Sequence, residues 1–126
     1  MGDTVLFAAA EALISRELGV DTVCRSGCDS CFLYGNSYIE VLPTERIVEQ
    51  EPPVFNIQWA ASERLSDICV FTLKNRLFWD FYIVKSSVID SCFGGITNIS
   101  LPLIEPFSLH AKVGGIKRAI DLACNL

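Results

Sequence analysis

The segment Phe78-Trp79-Asp80-Phe81-Tyr82-Ile83-Val84 sets the strongest limit on what this chain can fold into. A strand sends alternate side chains to opposite faces. Trp79, Phe81 and Ile83 fall on one face, and Phe78, Asp80 and Tyr82 on the other, so both faces carry large apolar groups. Such a strand belongs in the middle of a sheet, with a helix on one face and another layer or a second subunit on the other. Asp80 is the unusual member, a carboxylate inside an apolar run. The preceding run, Ile68 to Leu73, is a second strand, and Lys74-Asn75 is a tight turn lacking the favoured glycine, so Ile68 to Val84 reads as a hairpin.

The remaining elements fit around that hairpin. Residues 4–18 are rich in helix formers, have Asp3 or Thr4 as N-cap, and stop at Gly19. Residues 20–31 hold Gly27, Asp29, two serines and three cysteines, and read as a loop or turn-rich stretch that opens with a short strand. Cys31 to Tyr34 and Tyr38 to Leu42 flank Gly35-Asn36-Ser37 as a hairpin, with Ile39 and Val41 as its core pair. Val54 to Trp59 alternates at period two. Ala60 to Ser66 is a connecting turn or one short helical turn, and residues 94–110 form a loop with short extended pieces such as Ile99 to Leu103. A last helix over about 115–124 has Ile116, Ala119, Ile120 and Ala123 on one stripe. The fold class this implies is α+β: a mostly antiparallel sheet packed by an N-terminal and a C-terminal helix. With 126 residues, positions 1–126 are expected to form a single compact domain.

Charge and hydropathy exclude some partners. Ten Lys and Arg against fifteen Asp and Glu give a net charge of -5, with no dense basic block. Nucleic-acid binding needs a concentrated positive footprint, so it is not expected. There is no apolar run of about 18 residues, so no membrane span is expected. Val5 to Ile14 lacks a basic flank and carries Glu11, so it reads as an amphipathic helix and not as a secretory leader. These features favour a cytoplasmic location with the six cysteines as free thiols. The mean hydropathy of +0.39 is high, which points to apolar surface that meets a partner or a second copy.

Cys24, Cys28 and Cys31 form CxxxCxxC. Thiolates are soft ligands, and three on one loop can converge on zinc or an iron-sulfur cluster. Zinc would need a fourth ligand, from Cys69, Cys92, Cys124 or the single histidine, His110. The same spacing is similar to the cluster loop of radical S-adenosylmethionine enzymes, where three cysteines bind three irons. That likeness covers eight residues of a chain far shorter than those enzymes' barrel, and it assigns no activity. Cys28-Asp29-Ser30-Cys31 also has the CxxC spacing of thiol redox proteins, but an apolar strand follows it where a helix N-terminus is needed to lower a thiol pKa.

Other chemistry is scattered. His110 could activate Cys92 or Cys28 as a nucleophile. Asp67, Asp80 and Asp90 with Lys85 would serve a metal-dependent nuclease only if the carboxylates converge. Gly94-Gly95 and Gly114-Gly115 match no phosphate-binding motif. The sequence does not decide whether the chain is an enzyme, and it favours a non-enzymatic interaction or regulatory protein. That protein would self-associate or bind another protein through Trp79, Phe81, Tyr82 and Ile83, with no cofactor. The alternative is a thiol- or metal-dependent protein built on Cys24, Cys28 and Cys31, and a third is a pocket lined by the aromatic strand.

Overall fold

The computed structural model describes residues 2–25, 28–43, 45–47, 54–58, 66–74, 78–93 and 98–125; at 2–7, 22–25, 28–30, 43, 45–47, 54–58, 93 and 98–99 it describes the backbone alone. Helix α1 (Gly2–Leu18) leads into strands β1 (Thr22–Arg25), β2 (Cys28–Tyr34), β3 (Ser37–Pro43), β4 (Glu45–Ile47), β5 (Val54–Gln58), β6 (Ile68–Lys74) and β7 (Trp79–Lys85). Helix α2 (Ser86–Phe93), strand β8 (Asn98–Ser100), helix α3 (Leu101–Ile104), a 3-10 turn at Glu105–Phe107, strand β9 (Leu109–Ala111) and helix α4 (Ile116–Cys124) complete it.

One sheet has six strands in the order β1-β2-β3-β6-β7-β9. Its pairs are antiparallel except β3 with β6, which run parallel from Ile39 opposite Ile68 to Pro43 opposite Thr72. A smaller antiparallel sheet, β4-β5-β8, is formed from the chain between β3 and β6 and from the segment before α3. The fold is therefore α+β, with a mostly antiparallel main sheet and helices α1 and α4 packed on it. The second sheet is not foreseen in the sequence.

Local chemistry explains the junctions. Gly19, at φ +70°, ends α1, and its N–H and that of Val20 donate to the Ser15 carbonyl at 2.8 and 3.3 Å. The β2–β3 hairpin closes with two residues, since Tyr34 pairs with Ser37. Gly35 alone takes a positive φ there, +62°, which is the pattern of a type II′ turn. At the start of the parallel pair, Asp67 N–H donates to the Tyr38 carbonyl (2.8 Å) and its carboxylate accepts from the Tyr38 N–H (2.9 Å).

The main sheet is covered on both faces. Ala10, Ile14 and Leu18 of α1 and Ile116, Ala119, Ile120 and Ala123 of α4 pack with Phe32, Ile39, Val41, Ile68, Val70, Phe81 and Ile83. On the opposite face Cys69, Phe71 and Val84 pack with Ile89 of α2 and with Leu101 and Ile104 of α3. The strand with two apolar faces is thus covered by two intramolecular layers. Ile39 and Val41 are the core pair of β3, as their alternation predicts.

Two local expectations change. The short strand expected at the start of the 20–31 stretch is β1, but residues 28–34 form a strand paired with it where a turn-rich loop is expected up to Cys31. Ile99 to Leu103 divides into the end of β8 and the start of α3, and residues 86–93, for which no element is expected, are helical. Pro102 sits in the first turn of α3, where a missing N–H costs no helical hydrogen bond. The expected turn at 60–65, Trp59, Asn75 and Gly94-Gly95 lie outside the described residues.

Candidate functional site

Two polar groupings and one cleft occupy the α2/α3 side and the β9 margin of the main sheet. The first grouping is buried. Ser66 Oγ donates to Glu40 Oε1 at 3.1 Å and lies 3.3 Å from Ser86 Oγ, which is 3.2 Å from Cys69 Sγ. Glu40, Ser66, Cys69 and Ser86 are all buried. Glu40 and Cys69 face one another because they are register partners in the parallel pair. Ser86 is the first residue of α2. This network satisfies polar groups that would otherwise be costly inside the core. Among the described residues it contains no imidazole, and Cys69 is 0% exposed.

The second grouping is centred on Asp80. Its Oδ1 contacts His110 Nε2 at 2.7 Å and also accepts from Lys112 Nζ. The Asp80 side chain is 10% exposed, against 47% for His110 and 53% for Lys112, so a buried carboxylate is held by two outer cationic or polar groups. Burial raises the Asp80 pKa, but the hydrogen bonds and charges of Lys112 and His110 outweigh it, and the carboxyl lies below its ordinary value. The His110 ring stacks on Tyr82, its register partner, with centroids 4.9 Å apart. Burial, followed by the nearby charges of Glu105 and Asp80, raises the Tyr82 phenol pKa. Among the described side chains His110 contacts Asp80 and Tyr82, and no described cysteine joins it; the Cys28 side chain lies outside those described.

The cleft lies beside Asp80, where β7 begins and β9 has ended. Phe78, Trp79, Lys112 and Val113 line an open space of about 420 Å³. Phe78 is 57% exposed and Val113 48%. Trp79 is half-buried and stacks on the core residue Phe81, with centroids 6.0 Å apart, so the cleft wall is anchored in the α1/α4 core. Lys112 Nζ sits 5.3 Å from the Phe78 ring centre and Lys74 Nζ 5.7 Å from that of Trp79. Each lysine thereby keeps its head near water while lying over an aromatic face.

The residues foreseen as a contact surface are divided by this geometry. Phe81 and Ile83 are core residues beneath α1 and α4, 0% and 1% exposed, because the helices supply the cover that the sequence left open to a partner. Trp79 faces the cleft, and Tyr82 is half-buried under the α3 region and His110. Phe78, Lys112 and Val113 were not foreseen. The parity of β7 placed Phe78 with Asp80, but neither Lys112 nor Val113 carried a signal before β9 was known.

Among the described residues the thiols and carboxylates do not assemble into the alternative sites. Cys31 is disulfide-bonded, in contrast to the expected free thiols, and a sulfur in a disulfide is not a thiolate ligand. The side chains of Cys24 and Cys28 lie outside those described. Among the described residues no group of three or more His, Cys, Asp or Glu is placed to hold a metal, and zinc has no structural support. Asp67 and Asp80 lie at opposite ends of the β6–β7 hairpin, since Ile68 pairs with Lys85 and Leu73 with Asp80. Six residue rises separate them, roughly 20 Å, too far to share one cation. Asp90 is exposed on α2. Among the described residues no helix is long and apolar enough to cross a membrane.

No protein family matches the chain, and no curated protein and no solved structure matches it.

Proposed function

We propose that this chain is a non-enzymatic protein-interaction domain whose contact surface is the cleft of Phe78, Trp79, Lys112 and Val113. The observation that supports this most is the exposure of Phe78 and Val113 next to a tryptophan stacked on the core. Aromatic groups held rigid by the core give contact area at low entropic cost, which is the character of energetic centres in interfaces. The partner is another protein or a second copy of the chain. Self-association, if it occurs, runs through this margin, because both broad faces of β7 are already covered.

A random peptide library panned against the immobilised full chain tests the reading. The expected result is a set of binders that lose about ten-fold or more in affinity when Phe78→Asp or Val113→Asp is introduced. Sedimentation of the same proteins reads self-association, with any dimer weakened by the same substitutions. No enriched binders, together with a monomer up to about 100 μM, would overturn the proposal.

A further inference from the structure

The chain carries a net charge of -5, yet among the described residues two lysines, Lys74 and Lys112, lie over the cleft's rings. Lys112 is tied to Asp80 on one side but is 53% exposed, so its remaining N–H groups are open to water. Among the described residues Lys74 pairs with no carboxylate and lies against the Trp79 ring. An apolar floor with a lysine over each aromatic wall is complementary to a segment that presents apolar side chains and carboxylates together. A neutral apolar segment would leave Lys74 without a carboxylate and offer no acceptor to the remaining N–H groups of Lys112, and a basic one would be repelled by both.

Resting on the interaction reading above, we infer that the cleft takes an acidic-apolar peptide segment of a partner protein. Apolar side chains of the segment lie against Phe78, Trp79 and Val113. Its carboxylates accept hydrogen bonds from the ammonium groups of Lys74 and Lys112. The lysines discriminate between partners, and the rings supply most of the affinity. Exposed charge pairs add little binding but impose a preference that salt screens.

Three labelled eight-residue peptides, of alternating Leu with Glu, Gln or Lys, test this by fluorescence anisotropy with the full chain. The Leu/Glu peptide is expected to bind about three- to ten-fold more tightly than Leu/Gln. That advantage should disappear near 0.5 M salt, where the screening length is about 4 Å. Lys74→Glu should abolish the preference while leaving Leu/Gln binding in place, which also shows that the variant is folded. Equal or tighter binding of Leu/Gln or Leu/Lys overturns the inference and leaves the interaction reading standing. Failure of all three peptides while the panned library yields binders also overturns it. Failure of both the peptides and the library overturns the interaction reading itself.

Discussion

Glu17 near the end of α1 accepts a hydrogen bond from the backbone N–H of Ile116, the first residue of α4, at 3.0 Å, and its other oxygen accepts from Gly114 N–H at 2.8 Å. A helix start leaves N–H groups without partners and carries a partial positive charge. Gly115, the N-cap of α4, has no side chain to serve them. The carboxylate of a distant helix takes that role, and in doing so it joins the two helices that cover one face of the sheet. Glu17→Ala is expected to destabilise the chain by about 1–2 kcal/mol and Glu17→Gln by less, since the amide oxygen can still accept. Urea unfolding of the three proteins measures this. Equal midpoints for wild type and Glu17→Ala would show that water serves α4 as well as Glu17 does.

Asp80 gives the fold an acid limb. Its folded pKa is depressed, so its stabilising contribution is complete above the unfolded value of about 3.9 and is lost as pH falls through the folded value. Stability from this group is therefore flat from pH 7 to about pH 5 and declines below about pH 4. Asp80→Asn should cost about 1.5–3 kcal/mol near neutrality, the range for hydrogen bonds to a charged group. The same variant should flatten the acid part of the profile. Denaturant midpoints at several pH values, for both proteins, check this. A variant that keeps the wild-type difference between pH 5 and pH 3 would assign the acid limb to other carboxylates.

The cysteines should separate by accessibility. Cys92 is exposed on α2 and should react within minutes with a maleimide under native conditions. Cys69 is 0% exposed and should react only as fast as the fold opens. Cys31, in its disulfide, should react only after reduction. Mass spectrometry of labelled peptides, before and after reductant, reads all three. Labelling of Cys31 without reductant would return the chain to the free-thiol state expected from its sequence.

The hairpin over β6 and β7, the terminal helices and a Gly/Asn-containing turn at Gly35-Asn36-Ser37 were legible because each has a local cause: alternation, helix formers, or a glycine that accepts positive φ; the two-residue type II′ form of that turn was not. The parity of β7 also placed Asp80 with Phe78 and Tyr82, on the face where His110 is found. What was not legible depends on distant chain. Glu40 joins the group of Ser66, Cys69 and Ser86 only because β3 and β6 pair in parallel across the β4–β5 excursion, whereas Cys69 and Ser86 are brought together by the β6–β7 hairpin. The eight residues of α2 carry little helix signal of their own, since serines and β-branched residues are weak helix formers. The cleft needs Lys112 and Val113 beside Phe78, and that depends on the short strand β9, three residues long, which the sequence shows only as part of a loop.

Phe78 and Phe81 provide the sharpest contrast between surface and core. Phe81 lies within β7, and Phe78 immediately precedes it. Phe81 is 0% exposed beneath α1 and α4, and Phe78 is 57% exposed in the cleft. Phe81→Ala removes a large buried group and leaves a cavity, at an expected cost of about 3–5 kcal/mol. Phe78→Ala removes little buried area and should change stability by less than about 0.5 kcal/mol, while weakening partner binding. Thermal and urea unfolding measure the first effect, and the panned peptides measure the second. If Phe78→Ala destabilised the chain as strongly as Phe81→Ala, Phe78 would be structural, and the cleft would lose the residue on which its role as a contact surface most depends.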